Sequence, residues 1–401
     1  MDFNFTEEQT ALQDSLKRFI ANEYGFDKRR TFLKSPEGCN PNAWRQYAEF
    51  GVLALPFPED FGGLNGTAVD TMIVMEALGP GLVLEPILAT VVLCGHLIRD
   101  YGGQADRETL LPAIAGGELR MALAHYEPNT RYELNHVATK AKADGKGWVL
   151  DGVKAVVLNG GTADKLIVSA RTSGKERDDA GISLFIVDRD AGGVTARDYL
   201  TQDGNHAADV TLKGVKVGAE AMLGTKDQAL PAIEHALDYG IAALCAEAIG
   251  IIAVLNAATL EYLKTRKQFG QAIGKFQALQ HRMADMTIAA EQARSMMYLA
   301  AVKADSADVL ERRRSISIAK AYIGQAARFI GQQAIQLHGG MGVTDELIVG
   351  HWFKRLTIIN ALFGDADHHL GLFSDMLLDE SAKTAPKAAK AETKQIRRGA
   401  A

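Results

Sequence analysis

A block of short β-forming runs interrupts an otherwise helical chain, and this order limits the folds available to it. Leu166-Ile167-Val168 and Ile182–Val187 are short buried-strand patterns, and similar patterns extend from Met121 to about residue 218. The residues on both sides have helical periodicity. Helices followed by strands and then by helices argue against a doubly wound βαβ fold. The sequence also lacks a GxGxxG motif after a strand, so it predicts no Rossmann dinucleotide site.

These patterns divide the 401 residues into three domains and a tail. We expect a mainly α protein with a central β domain. The N-terminal helical domain spans 1–120, the middle β-domain, a sandwich or barrel, spans 121–225, and the C-terminal helical domain spans 226–380. A capping box at Thr6-Glu7-Glu8-Gln9 marks the start of the first helix. Residues 381–401 are rich in alanine and lysine, and we expect them to be disordered.

Charge and cysteine content argue against several classes of protein. The formal net charge is −5 and the basic residues are scattered except at the end, so we expect no nucleic-acid partner. The three cysteines, Cys39, Cys94 and Cys245, are far apart and fit a reducing cytosol. The N-terminus shows no signal-peptide pattern, and the apolar stretch Leu82–Ile98 is too short and interrupted to span a membrane. We therefore expect a cytoplasmic protein with no membrane partner.

The stretch Arg266–Gln277 carries the most informative chemistry. It joins two helical patterns, Ile233–Lys264 and Ala278–Ala301, and its glycines suit a turn. Arg266 offers a planar fork that matches phosphate oxygens. A solvated corner between two helices would explain the same residues, so this stretch alone does not decide the function.

Three motifs together resemble those of the acyl-CoA dehydrogenase family, over about residues 2 to 375. They are Arg266–Gln277, Gln336–Thr344 and Leu55–Gly63. The resemblance implies an N-terminal helical domain, a middle β-barrel and a C-terminal four-helix bundle, with noncovalent FAD between barrel and bundle. It implies α,β-dehydrogenation of an acyl-CoA thioester and an acceptor such as an electron-transfer flavoprotein. It also implies dimers or tetramers, because a neighbouring subunit holds part of the adenosine end of FAD.

The resemblance assigns the cofactor contacts to two motifs. Arg266 would contact the FAD pyrophosphate, and the residues lining the cofactor beside it would be Phe269, Phe276 and Gln277. The residues lent across the subunit interface to the adenosine–pyrophosphate end would be Gln336, Gly339 and Gly340. Glycine lets a backbone approach a ligand closely, although the glycine pair is equally explained as a helix C-cap.

The sequence departs from the family at the catalytic base. The usual glutamate position falls on Phe363, and the family's other base position falls on Gly240. Neither side chain can take a proton. Asp365 is our first candidate for a relocated base, with Asp367 and Glu247 as alternatives. For each of them the other explanation is a structural or solvent-facing acid.

The expected flavin-ring contacts are also weakened. Val156-Val157-Leu158 stands where the family has Trp-Ile-Thr, and Tyr126–Tyr132 replaces a loop of glycines and small hydroxyls. The chain therefore resembles the small subunit of two-subunit bacterial enzymes of the pimeloyl-CoA dehydrogenase type, in which a larger homologue would carry the base. A homo-oligomer, a non-catalytic partner that only completes another subunit's FAD site, and a flavin oxidase or monooxygenase remain as alternatives. His368-His369 lacks HExxH spacing, so we expect no metal site.

Overall fold

The computed structural model describes residues 5–35 and 38–384 of the chain, with side chains described as far as residue 378. The predicted capping box is confirmed, because the Thr6 amide donates to the Gln9 side chain at 3.0 Å and the Gln9 amide donates to the Thr6 hydroxyl at 3.2 Å. The N-terminal helices are α1 (Glu7–Glu23), α2 (Phe26–Phe32), α3 (Pro41–Glu49), α4 (Ala68–Leu78), α5 (His96–Tyr101) and α6 (Gln104–Ala115).

A π-helix, Ile87–Gly95, stands between α4 and α5, where the periodicity predicts ordinary helix. Eight of its nine residues are buried. Its wider hydrogen-bonding pattern is rare, and such turns occur often at functional sites. Ile87, Leu88 and Ala89 of this segment line a cavity of about 210 Å³.

The middle domain is an open sheet, and the prediction of a barrel was wrong. Its strands are β1 (Met121–Ala124), β2 (Lys140–Asp144), β3 (Gly147–Leu158), β4 (Lys165–Arg171), β5 (Ile182–Asp188), β6 (Val194–Leu200), β7 (His206–Val217) and β8 (Met222–Leu223). They pair in the order β6-β7-β3-β2-β4-β5-β8, with β1 on β4. Among the described residues the edge strands β6 and β8 do not pair with each other, and β8, two residues long, pairs with β5 alone. The alternation of apolar and polar residues in a strand determines which face of the sheet each side chain occupies. It does not determine whether the two edge strands pair and close the sheet into a barrel.

The C-terminal domain is helical, as expected. Its elements are α7 (Leu230–Thr265), the hairpin β9 (Lys267–Gln268) and β10 (Gln271–Ala272), α8 (Gln277–Ala304), α9 (Val309–His338), α10 (Ile348–Ala361) and α11 (Ala366–Thr384). Four long helices are therefore accompanied by the shorter α10. Helix α11 includes the first four residues of the predicted tail, 381–384, so the boundary lies later than expected. Residues 385–401 lie outside the described residues.

Helix α7 is the central helix of this domain. It is long and apolar enough to cross a membrane by length and composition alone, but 72% of its most apolar window is buried inside the protein. It packs against α4, α8, α9 and the π-helix. These contacts identify it as a core helix. Cys39, Cys94 and Cys245 are likewise buried, and none of them forms a disulfide within the described residues.

Candidate functional site

The hairpin after α7 presents the first group of predicted cofactor residues at the surface. Arg266 caps the C-terminus of α7, and its carbonyl accepts a bond from the Ile273 amide at 2.9 Å, which closes the hairpin. The Arg266 side chain is exposed and has no hydrogen-bond acceptor among the described residues. Phe269 is 88% exposed and packs edge-on against Phe276 at 6.0 Å between ring centroids. Gln277 is the first residue of α8 and is also exposed.

The second group lies at the C-terminal end of α9. Gly339 ends that helix with φ +58°, a conformation that suits glycine. A Cβ placed on Gly339 or Gly340 would meet nothing within 4 Å, so the backbone there is open to a ligand. Gln336 is exposed one turn earlier. Both explanations of the glycine pair therefore stand, because a C-cap and a ligand contact are compatible here.

A tyrosine on α7 brings the two groups together. The Tyr262 hydroxyl donates to the His338 carbonyl at 3.3 Å, and the two rings lie 4.5 Å apart. The end of α7 thus abuts the end of α9. We call the seven predicted cofactor residues of these two groups the tail site: Arg266, Phe269, Phe276, Gln277, Gln336, Gly339 and Gly340. An unpartnered guanidinium, a helix N-terminus and open glycine backbone fit the pyrophosphate and adenosine of FAD.

The two expected base positions meet in the fold, although neither carries an acid. A Cβ built on Gly240 would lie 3.3 Å from the Phe363 ring and 2.7 Å from Leu93. The Phe363 ring stacks on Tyr126, with 6.3 Å between centroids and 15° between planes. The Tyr126 hydroxyl is buried without a partner among the described residues. We call the meeting place of Tyr126, Gly240 and Phe363 the ring cleft.

Further contacts close the ring cleft between the sheet domain and the helical domain. Tyr132 lies 4.9 Å from the His368 ring, and the Arg131 guanidinium lies 3.9 Å from the Asp365 carboxylate. These are loop residues against residues at the start of α11. The protein's own aromatic and charged side chains therefore occupy the interdomain contact around Phe363.

A buried lysine that the sequence analysis missed holds the turn that carries Phe363. Lys320 Nζ donates to the carbonyls of Ile359, Leu362 and Gly364 at 2.8, 2.6 and 2.9 Å, with Asn360 at 3.2 Å. Burial lowers the pKa of Lys320 to about 8. In the sequence, this role is marked by a single lysine among the apolar residues on the buried face of α9.

A histidine also fixes the turn at Phe363, which has φ +59°. His369 Nε2 donates to the Phe363 carbonyl at 3.0 Å, since a carbonyl can only accept. The Ser317 hydroxyl lies 3.3 Å from His369 Nδ1. Burial lowers the pKa of His369 to about 3, so it is neutral. Within the residues that the structure describes, no three His, Cys, Asp or Glu side chains form a metal-binding group.

The candidate bases have other partners. Asp365 accepts a bond from the His368 amide at 2.9 Å, which caps α11, and Asp367 is exposed. Glu247 is buried in a bidentate ion pair with Arg355 at 2.6 and 2.7 Å. Of the three, Asp365 is the one that lies two residues from Phe363 in the chain, at the N-terminus of α11.

The tail site and the ring cleft lie far apart on one chain. Gly240 and Arg266 are separated by 26 residues along α7 and its cap, or about 39 Å at 1.5 Å per residue. An extended dinucleotide does not span that distance. A single FAD molecule would therefore not contact both groups of residues on one chain.

Family comparisons cover nearly the whole chain. Models of the acyl-CoA dehydrogenase N-terminal, middle and C-terminal domains match residues 6–118, 122–215 and 230–378. The probable acyl-CoA dehydrogenase YngJ of Bacillus subtilis is 31% identical over 86% of this chain and 91% of its own length. The short-chain specific acyl-CoA dehydrogenase of Clostridium acetobutylicum is 28% identical over 92% of this chain and 97% of its own length.

Solved structures agree with these matches. Butyryl-CoA dehydrogenase from Megasphaera elsdenii superposes with a TM-score of 0.87 at 26% identity, covering 94% of this chain and all of that one. The FAD complex of PigA gives 0.86 at 25% identity over 94% of this chain and 99% of its own. The Tcur3481-Tcur3483 steroid ACAD gives 0.84 at 28% identity over the same shares. The chain belongs to the acyl-CoA dehydrogenase family, whose members are oxidoreductases that act on CH–CH groups with FAD as cofactor.

Proposed function

We propose that this chain is one subunit of a two-subunit acyl-CoA dehydrogenase. It would hold the adenosine–pyrophosphate end of FAD that is seated on a larger homologous subunit. The reaction would be α,β-dehydrogenation of an acyl-CoA thioester, and the partner would supply the base that takes the α-proton. The observation that carries this proposal is the stacking of Tyr126 on Phe363, which fills the position of the missing acid.

The tail site supplies this chain's part of the work. Arg266 would pair with the pyrophosphate, because its guanidinium is exposed and unpartnered among the described residues. Phe269 and Phe276 would cover the apolar faces of the cofactor, and Gln277 would place the N-terminus of α8 beside the phosphates. Gln336, Gly339 and Gly340 would receive the adenosine end. FAD, when bound, supplies the acceptor for the β-hydride.

The similarity to a two-protein enzyme supports this assignment. The name of the Tcur3481-Tcur3483 steroid ACAD joins two proteins, and its structure covers nearly all of this chain. The resemblance to small subunits of the pimeloyl-CoA dehydrogenase type remains a prediction. We further propose a cytoplasmic location, supported by three buried cysteines that form no disulfide within the described residues. The proposed electron acceptor is an electron-transfer flavoprotein.

A lone enzyme with a relocated base is the second candidate, because Asp365 stands two residues from Phe363 and beside Arg131. Its carboxylate would have to leave the cap of α11 to reach a substrate. In a lone enzyme, Asp365→Asn would abolish turnover while leaving FAD bound. In the shared enzyme, the same change would leave turnover intact.

An absorbance spectrum tests the proposal directly. The chain would be purified alone, after incubation with excess FAD, and after coexpression with a homologous gene that encodes the family's glutamate. We expect a colourless protein alone and a flavin band only in the coexpressed complex. An FAD-saturated, active oligomer of this chain alone would contradict the proposal.

A further inference from the structure

The loop between β6 and β7 contacts both helical domains through one aspartate. The Asp203 carboxylate in this loop accepts a bond from Arg355 of α10 at 2.7 Å. The Asp203 backbone carbonyl accepts a bond from Arg29 of α2 at 2.8 Å. Two arginines from two different domains therefore converge on one residue of the middle domain.

Each arginine is also held within its own helical domain. Arg355 donates two bonds to Glu247 of α7, which fix its guanidinium in one orientation. Arg29 donates to the Leu82 carbonyl at 2.7 Å. Both arginines and both acids are less than a tenth exposed. We call the four residues Arg29, Asp203, Glu247 and Arg355 the domain lock.

The loop that carries Asp203 is shaped for this contact. The Asp203 carboxylate also accepts bonds from the Thr201 hydroxyl, from the Asn205 side chain at 2.9 Å and from the Asn205 amide at 3.3 Å. Gly204 has φ +88°, and a Cβ placed on it would lie 3.0 Å from the Leu33 side chain of the N-terminal domain. The loop therefore approaches that domain as closely as a glycine permits.

Asp203 keeps its charge although it is buried. Burial raises the pKa of Asp203, but the Arg355 guanidinium and the hydrogen bonds to the carboxylate outweigh it, so the pKa lies below its usual value. Separating the two domains would leave buried charges without their partners, which is strongly unfavourable. The directional bonds of the pair therefore favour one arrangement of the elements that carry it.

Another ion pair between the middle and C-terminal domains offers a contrast. Arg131 lies 3.9 Å from Asp365, and its side chain is 82% exposed. Exposed pairs of this kind contribute little, because solvent screens them. Of these two pairs, the one in the domain lock is buried and makes the shorter contact.

We propose that the domain lock fixes the middle domain against both helical domains without a cofactor between them. Arg355 stands on α10, which leads into the turn of Phe363, so the same lock sets where Phe363 meets Tyr126. The lock itself does not depend on the proposed function. Its use, to hold together a chain that seats no flavin between its own domains, rests on that function.

The tryptophans make the domains separable, because each domain contains one. Trp44 lies on α3, Trp148 on β3 and Trp352 on α10. Fluorine NMR of the full chain labelled with fluorotryptophan therefore follows the unfolding of each domain in urea, with one Trp→Phe variant to assign each signal. We expect the three wild-type signals to reach their unfolded positions at the same midpoint. Separate wild-type midpoints would overturn the proposal.

Two variants open the lock from opposite sides. In Arg355→Met, and in Asp203→Asn, the Trp148 midpoint should fall at least about 1 M below the other two, because the middle domain loses its buried charged contact. If one variant fails to fold, the other decides. Coincident midpoints in a folded lock variant would contradict the proposal.

Two buried ion pairs that lie within single domains provide the controls. Lys154 donates to Glu127 at 2.6 Å inside the middle domain, and Arg312 donates to Asp238 at 2.9 Å inside the C-terminal domain. Lys154→Met and Arg312→Met should lower the common midpoint without separating the three signals. Separation in either control would show that any buried pair has this effect and would refute a specific role for the lock.

Excess FAD distinguishes failure of the lock from failure of the proposed function. We expect the midpoints of the lone wild-type chain to be the same with and without FAD. If FAD raises all three midpoints together, the lone chain binds the cofactor, so the two-subunit proposal fails and the lock stands. If the three midpoints coincide only when FAD is present, the lock proposal fails.

Discussion

At the scale of single residues, Phe363 stands where the family has a catalytic acid, and its ring packs against Tyr126. We expect Phe363→Ala to lower the free energy of unfolding by about 2 kcal/mol. The loss is smaller than the 3–5 kcal/mol typical of a fully buried phenylalanine, because this ring is half-buried. Urea denaturation of the purified chain measures the change. The lost contact is the stack on Tyr126.

Phe269 provides a control with the same substitution. It is 88% exposed, so Phe269→Ala should change the free energy of unfolding by less than about 0.5 kcal/mol. Its effect should instead be seen in FAD retention by the complex. Equal stability losses in both variants would show that Phe363 does not pack in the ring cleft as described.

Glu85 makes stability depend on pH. Burial raises the pKa of Glu85 to about 7 from its usual 4.5. The folded state therefore keeps a proton that the unfolded chain releases, so this contribution is complete below about pH 4.5 and is lost as pH rises through 7. We expect Glu85→Gln to remove a decrease of about 3 kcal/mol in the free energy of unfolding between pH 4.5 and 8. Urea denaturation at several pH values measures it.

Glu291 is exposed and provides a control with the same substitution. Glu291→Gln should change the free energy of unfolding by less than about 0.5 kcal/mol, as is usual for a surface substitution. A Glu85→Gln profile that runs parallel to the wild type would contradict the assignment of the pH dependence to Glu85.

At the scale of elements, a lysine on α9 caps the C-terminal end of α10. Lys320 donates to three carbonyls at 2.6–2.9 Å in and just beyond the last turn of α10. Lys320→Met keeps the apolar stem and removes the donor, which leaves these buried carbonyls unsatisfied. We expect a loss of about 3 kcal/mol in the free energy of unfolding, measured by urea denaturation.

Lys354 is the matched control on α10 itself. It forms a partly exposed ion pair with Asp345 at 3.1 Å, and such pairs contribute about 0–1 kcal/mol. Lys354→Met should therefore have a small effect. Similar losses in the two variants would mean that Lys320 does not hold the turn at Phe363.

The elements also show what sequence patterns determine. The capping box at Thr6 and Gln9 was predictable because the two residues that bond lie three apart in the chain. The π-helix was not, since hydrophobic periodicity gives no sign of the hydrogen-bond pattern inside a buried apolar run. The open sheet was also not predictable, because pairing between β6 and β8 depends on strand lengths and on contacts distant in sequence.

At the scale of the whole molecule, one part of the candidate site was predictable from the sequence and the other was not. The tail site falls on two continuous motifs, so its residues could be named from the sequence. The ring cleft brings together Tyr126, Gly240 and Phe363 from two domains. The resemblance to the family identified Gly240 and Phe363 as base positions, but the sequence did not predict that they lie in contact. The hydrogen bonds of Lys320 join helix α9 to the end of α10, so they depend on tertiary contacts that the sequence does not show.

The separation of the tail site from the ring cleft leads to a prediction about the assembled enzyme. Arg266→Ala should leave the thermal unfolding midpoint of the lone chain unchanged, because the guanidinium has no partner among the described residues. In the coexpressed complex it should weaken FAD binding about 10- to 100-fold, because it removes charge-assisted hydrogen bonds to a phosphate. Lys267→Ala, an exposed neighbouring cation, is the control and should have little effect. If Arg266→Ala complexes retained FAD as the wild type does, this chain would not be the subunit that holds the pyrophosphate.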